Sequence, residues 1–194
     1  MNVGLQLIEE LVEEHRLVDS VAGALFRCAE GAAAGAGVSQ DVADFVQFFR
    51  IFVTGYNHQR EEAFLFPALA EHAEVPADRG PLLAIAADHE AAASLVDDLE
   101  AAAVSGKETS GVARSLARHL WEHVDKENSV LLPESERRLL RHGVNRLRGR
   151  PPNADEETAR ALGEEAEHAS KTPDPRFAGQ LPQRSHCEGN HDET

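Results

Sequence analysis

Thiols are scarce in this chain. Cys28 and Cys187 are the only two in 194 residues, too few for a disulfide framework, and neither belongs to a Cys-x-x-Cys pair that would hold zinc or run thiol redox chemistry. The cytoplasm is therefore the expected compartment. No apolar stretch approaches the roughly 18 residues that a membrane span needs. Met1 leads within a few residues into acidic helix, without a basic region followed by an apolar core, so the mature chain is expected to begin near Met1. Positive charge is in short supply as well: 19 Lys and Arg against 34 Asp and Glu leave a net charge of −15. Such a surface repels phosphate backbones and anionic lipid, which argues against nucleic acid and membrane and for small ligands or cationic partners. Period-two alternation is missing too, and with it the signature of half-buried strands.

What remains is helical. With 42% hydrophobic residues the chain can bury one real core, and one domain is expected. Leu5, Ile8, Leu11, Val12, His15, Val18, Ala22, Leu25 and Phe26 recur at three and four, predicting a first helix that ends near the Ala/Gly run from Gly31 to Gly37. A second stripe reads Phe45, Phe48, Phe49, Phe52, Gly55, His58, Glu62, Leu65, Phe66 and Leu69. Pro81 suits the first turn of a third helix carrying Leu82, Ile85, His89, Val96, Leu99 and Ala103, closed by Ser105-Gly106. A fourth runs from about Thr109 through Val112, Leu116, His119, Leu120, His123, Glu127, Val130 and Leu131. Four such helices with modest connections predict an all-α, up-down-up-down four-helix bundle. It should occupy residues 1–145. From Arg146 the pattern decays into Arg-Gly-Arg-Pro-Pro, an acidic stretch from Glu156 to Glu167 and a polar end, so residues 146–194 read as a mobile or loosely packed tail.

Polar residues interrupt these stripes at matching depth. His58 with Glu62 and His123 with Glu127 are two His-x-x-x-Glu steps, which bring an imidazole and a carboxylate to one face of a helix, a turn apart. Pro67 and Pro133 follow and are expected to bend each helix just past the site. His15 and His89 add two imidazoles. The alternative is a set of interior polar residues satisfied by one another, but burying unpaired charge costs several kcal/mol per group, by order of magnitude, and a pair of divalent ions removes that penalty. Mixed imidazole and carboxylate donors in a bundle suit iron or manganese better than thiolate-rich structural zinc. A core di-metal site is thus expected from His15, His58, Glu62, His89, His123 and Glu127. His119, one turn before His123, is a rival ligand or a supporting and access residue, and Asp19 is placed to orient His15. Glu61 and Glu90 read as surface charges, Tyr56 as packing, and His186-Cys187 and His191 as part of the tail.

These residues resemble the hemerythrin-like, or HHE cation-binding, family: a lone His15, then His58-Gln-Arg-Glu-Glu62 running into Phe-Leu-Phe-Pro67, a lone His89 within Asp-His-Glu, then His123-Val-Asp-Lys-Glu127 running into Val-Leu-Leu-Pro133. The resemblance spans roughly residues 3 to 142. It implies two iron ions, oxo- or hydroxo-bridged, with the four histidines as terminal ligands and Glu62 and Glu127 as bridges. Oxygen-carrying members place a further His where this chain has Ala93 and an Asp where it has Asn128. The missing His implies two open irons and reactive chemistry: binding and reduction or disproportionation of peroxide, nitric oxide or dioxygen in stress protection. A sensor that signals by helix reordering is the alternative, with reversible oxygen storage behind it. No electron donor or protein partner is legible. Ferritin-like Glu-x-x-His steps occur only at Glu165 and Glu188, in the tail.

Overall fold

The computed structural model describes residues 5–33 and 41–149, and within them the regular structure is helical. Four long helices account for it: α1, Gln6–Ala33; α2, residues 41–72; α3, Pro81–Val104; and α4, residues 110–141. The predicted signals operate at their ends. Gly80 adopts φ 71° and hands the chain to Pro81 in the first turn of α3. At the other end Ser105 Oγ donates to Ala101 O and Gly106 takes φ 67°. The Lys107 N–H returns to Ala102 O, which satisfies carbonyls that the helix would otherwise strand. Helix α4 starts at Ser110, whose N–H donates to the Glu108 carboxylate at 2.6 Å.

Two apolar clusters define the topology. One gathers Val18, Val21 and Leu25 of α1, Phe48, Phe49 and Phe52 of α2, Val96 and Leu99 of α3, and Leu116 and Leu120 of α4. The other gathers Leu7 and Leu11, Leu65 and Leu69, Leu82 and Ile85, and Leu131, Leu132 and Leu139. Each cluster thus joins the end of one helix to the beginning of the next, around all four, which only an up-down-up-down arrangement does. Burial of these side chains stabilises the fold by about 1.5–3 kcal/mol for each large one.

Helices α2 and α4 are not α-helical throughout. Residues Phe49–Asn57 and Glu61–Leu65 of α2, and Glu127–Leu131 of α4, form π-turns with hydrogen bonds to the fifth residue back. The His58 N–H bonds Val53 O, the Phe66 N–H bonds Glu61 O and the Leu132 N–H bonds Glu127 O. Gly55 permits the first of these, since a Cβ there would lie 2.9 Å from Arg50 O. The other two end two residues before Pro67 and Pro133. A proline in an α-helix clashes with the carbonyl four residues earlier, and widening the preceding turn relieves this. The irregularity therefore falls on the site itself, ahead of each proline, and not past it as the sequence suggested.

The bundle also keeps hold of the chain beyond residue 145. The Leu7 N–H donates to Leu147 O at 3.1 Å and Arg60 Nε to Gly149 O at 3.0 Å. Gly149 lies so close to the Phe64 ring that a Cβ would come within 2.3 Å of it. Contacts with the bundle thus run on to residue 149, and the rest of the expected tail lies outside the described residues. A chain ending at residue 145 should be less stable than one ending at residue 150 by about 1–3 kcal/mol, the worth of two hydrogen bonds and the Leu147 contact. Equal urea midpoints for the two truncations would show that residues 146–149 contribute nothing.

Candidate metal centre

Between the two apolar clusters runs one polar layer. His15 comes from α1 between Leu11 and Val18, His58 and Glu61 from α2 between Tyr56 and Leu65, His89 from α3 between Ile85 and Ala92, and His123 and Glu127 from α4 between Leu120 and Leu131. All six are buried. Five of them, His15, His58, His89, His123 and Glu127, were expected here. The sixth was not.

Glu62, the expected partner of His58, lies outside the layer with its side chain 45% exposed, whereas the neighbouring Glu61, read as a surface charge, is 0% exposed. The reading from sequence assumed an unbroken α-helix, in which the residue four past His58 shares its face. Helix α2 carries π-turns on either side of His58, and the carboxylate three residues on lies in the layer instead. A signal was available: Glu61 precedes Pro67 by the same six residues that separate Glu127 from Pro133, and each glutamate opens a π-turn.

Within the layer the imidazoles divide unevenly. The His58 and His89 rings stack at 3.8 Å and His123 meets both edge-on, at 5.0 and 4.9 Å. One nitrogen from each of these three falls within 4.8 Å of the others, and His15, Glu61 and Glu127 form a second such group. The carboxylates face both ways. Glu61 presents Oε1 to His15 Nε2 at 3.5 Å and Oε2 to His89 Nε2 at 3.7 Å. Glu127 presents Oε2 to His15 and His123 at 3.3 and 3.2 Å, and Oε1 to His89 at 3.6 Å.

Polar contacts outside the layer orient two of the rings. His15 Nδ1 donates to Asn128 Oδ1 at 2.8 Å. His89 Nδ1 donates to Glu62 Oε1 at 2.6 Å. Both bonds turn the Nε2 lone pair inward, the arrangement that metal-ligating histidines use. His119 is half-buried and donates from Nε2 to Asp88 O at 2.8 Å, with its ring parallel to His123 at 6.4 Å. It flanks the layer without joining it. Ala93, one turn past His89, is half-buried.

The electrostatics favour the neutral form of two of these imidazoles. Burial, followed by the nearby His89 and His123 imidazoles, holds His58 well below its usual range. Burial and then His89 bring His123 down to about 3. His15 moves the other way: burial opposes its charge, but Glu61 and Asn128 outweigh it and raise its pKa. Burial and then the charge of Glu61 push Glu127 well above the carboxylate range. Glu61, although burial opposes its ionisation, is lowered chiefly by the adjacent His15 imidazole.

The donor set can be tested against a cation. Ten side-chain atoms are buried without a hydrogen-bond partner among the described residues, and all ten belong to these six residues. Each such atom costs about 1–3 kcal/mol, more if charged. Inward imidazole nitrogens and two-faced carboxylates supply what a pair of hard-to-intermediate cations requires, with no thiolate to favour structural zinc.

Comparison with known proteins agrees. The model of the hemerythrin HHE cation binding domain matches residues 6–135, a span that holds the whole layer. No curated protein and no solved structure matches the chain.

The pH dependence of the metal-free protein follows from His123. Unfolded, it takes a proton below about 6.5, while in the folded layer it refuses one until about 3. Its contribution to stability is therefore lost as pH falls through that window, by up to about 1.4 kcal/mol per pH unit. The stability of the wild type relative to His123→Leu should decline from pH 7 to pH 4 in urea unfolding. A difference that does not vary with pH would mean that folded His123 titrates as it does in water.

Proposed function

Because the chain belongs to the hemerythrin HHE cation binding domain family, whose domain implies non-heme iron and small oxygen-type ligands, we propose that the polar layer holds two iron ions and that they act on dioxygen, peroxide or nitric oxide. The observation that carries this reading is the confinement of every buried, unpartnered side-chain atom among the described residues to those six side chains. His58, His89 and His123 would hold one ion and His15 the other, with Glu61 and Glu127 reaching both. When bound, the pair supplies Lewis acidity and one-electron redox chemistry that protein side chains lack.

The protein's own contribution is placement. Three imidazoles on one side against one on the other leave the His15 side poorer in ligands, so that is where a small molecule finds room. The sequence suggested instead that both ions would stay open, because Ala93 replaces a histidine; in the fold His58 stacks on His89 and supplies a third imidazole to that side. The apolar clusters above and below exclude water from the layer. Imidazoles and carboxylates take up a cation only in their deprotonated forms, so loading should become weaker as pH falls. Glu62 and Asn128 hold His89 and His15 with Nε2 inward. Reduction or disproportionation of the small ligand, in protection against oxidative or nitrosative stress, is the activity this open side favours.

Full-length protein loaded with ferrous iron without oxygen should bind two ions per chain, and Glu61→Ala or Glu127→Ala should lose far more iron than Glu62→Ala. One ion per chain, or equal losses for all three variants, would contradict the assignment. Loaded protein should then consume peroxide or nitric oxide at a rate proportional to its iron. Reversible oxygen binding without either consumption would favour storage, and an iron-dependent change in helical exchange without turnover would favour a sensor.

A further inference from the structure

Two adjacent glutamates compete for one place in this layer. On a helix advancing about 100° per residue, Glu61 stands about 60° to one side of His58 and Glu62 about 40° to the other, so helical phase alone does not favour Glu61. We propose that Arg60 is the positioning residue that selects Glu61 over Glu62; the inference rests on the metal-site reading above.

Arg60 is only 2% exposed, and its guanidinium reaches α1, where it bonds the carboxylates of Glu10 and Glu14. Its Nε donates to Gly149 O, and its guanidinium carbon lies 5.2 Å from the Tyr56 ring centre. Asn57 Nδ2 adds a second tie to Glu14, at 3.0 Å. The far end of the clamp is itself fixed, because Gly149 fits against Phe64 with no space for a Cβ and Leu147 O is held by the Leu7 N–H. Helix α2 is thus tied at residues 57, 60 and 64 to α1 and to the segment that follows α4.

These ties determine which way α2 faces. Turning it by about 50°, half of one residue's rotation, would point Glu62 into the layer. The same turn would carry Arg60 away from Glu10 and Glu14 and leave the largely buried Glu14 carboxylate without its cation. It would also break the bond from His89 Nδ1 to Glu62. Breaking a buried ion pair from one side is strongly destabilising, so the clamp keeps Glu61 inward and leaves Glu62 outside as the acceptor for His89.

The test is anaerobic ferrous titration of the full chain, with Glu61→Ala and Glu62→Ala each made in two backgrounds. In the wild-type background Glu61→Ala should weaken iron binding more than Glu62→Ala, which removes only the hydrogen bond to His89 Nδ1. With the clamp cut by Arg60→Met together with Glu14→Gln, the order should reverse: Glu62→Ala becomes the damaging change, by about tenfold or more in affinity. Persistent dependence on Glu61 in the cut background overturns the proposal. A purely structural role for Arg60 would lower the melting temperature without exchanging the two glutamates, and that outcome overturns it as well. Should the double variant fail to fold, Gly149→Ala loosens the other end and should shift dependence the same way to a smaller degree; no shift is again decisive against it. A wild type that binds no iron instead removes the metal-site reading on which the proposal stands.

Discussion

A layer of four imidazoles and two carboxylates crosses the middle of an apolar bundle, and the rest of the structure accommodates it. Water cannot solvate the layer, because leucine, phenylalanine and valine clusters close it off on both sides. Hydrogen bonds within the protein do not satisfy it either. Evolution retains such a group only where something compensates for its desolvation, and the donor chemistry limits the compensating species to cations. The apolar clusters and the polar layer are therefore complementary: the first make the second dry, and dryness makes its charges strong.

Local backbone follows from the same demand. Both carboxylates open π-turns, and both turns lead into a proline at the same distance. Widened turns of this kind recur at functional sites because they move a side chain through an angle that a regular helix cannot supply. Here they allow Glu61 and Glu127 each to address both sides of the layer. His58, whose step to its carboxylate is one residue shorter than that of His123, joins His89 and His123 and leaves His15 alone opposite. The asymmetry of the site thus traces to a one-residue offset in α2.

Most of this was legible in the sequence. The four stripes, the turns at Pro81 and Gly106, and the depth of His15, His58, His89, His123 and Glu127 all follow from a period of three to four and from turn chemistry. Glu61 was not recovered, because Glu61 and Glu62 flank the direction of His58 on either side and periodicity favours the nearer Glu62. The prolines held the missing information, since aligning the two halves on Pro67 and Pro133 pairs Glu61 with Glu127. The long-range contacts were equally out of reach: Asn128 beneath His15 and the Arg60 ties to Glu10, Glu14 and Gly149 join residues 46 to 113 positions apart, and local patterning carries no trace of them. The contacts of Leu147 and Gly149 were out of reach for the same reason, because Leu7 and Arg60 hold them and no pattern of their own marks them.

The central claim concerns where two cations sit and which glutamate reaches them. Anomalous diffraction at the iron edge, from crystals of the iron-loaded full chain, addresses both at once. The account predicts two iron peaks in the layer, one beside His58, His89 and His123 and the other beside His15, with Glu61 and Glu127 oxygens toward both and Glu62 still bonded to His89 Nδ1. A single peak, or two peaks with Glu62 turned inward and Glu61 outside, would contradict it.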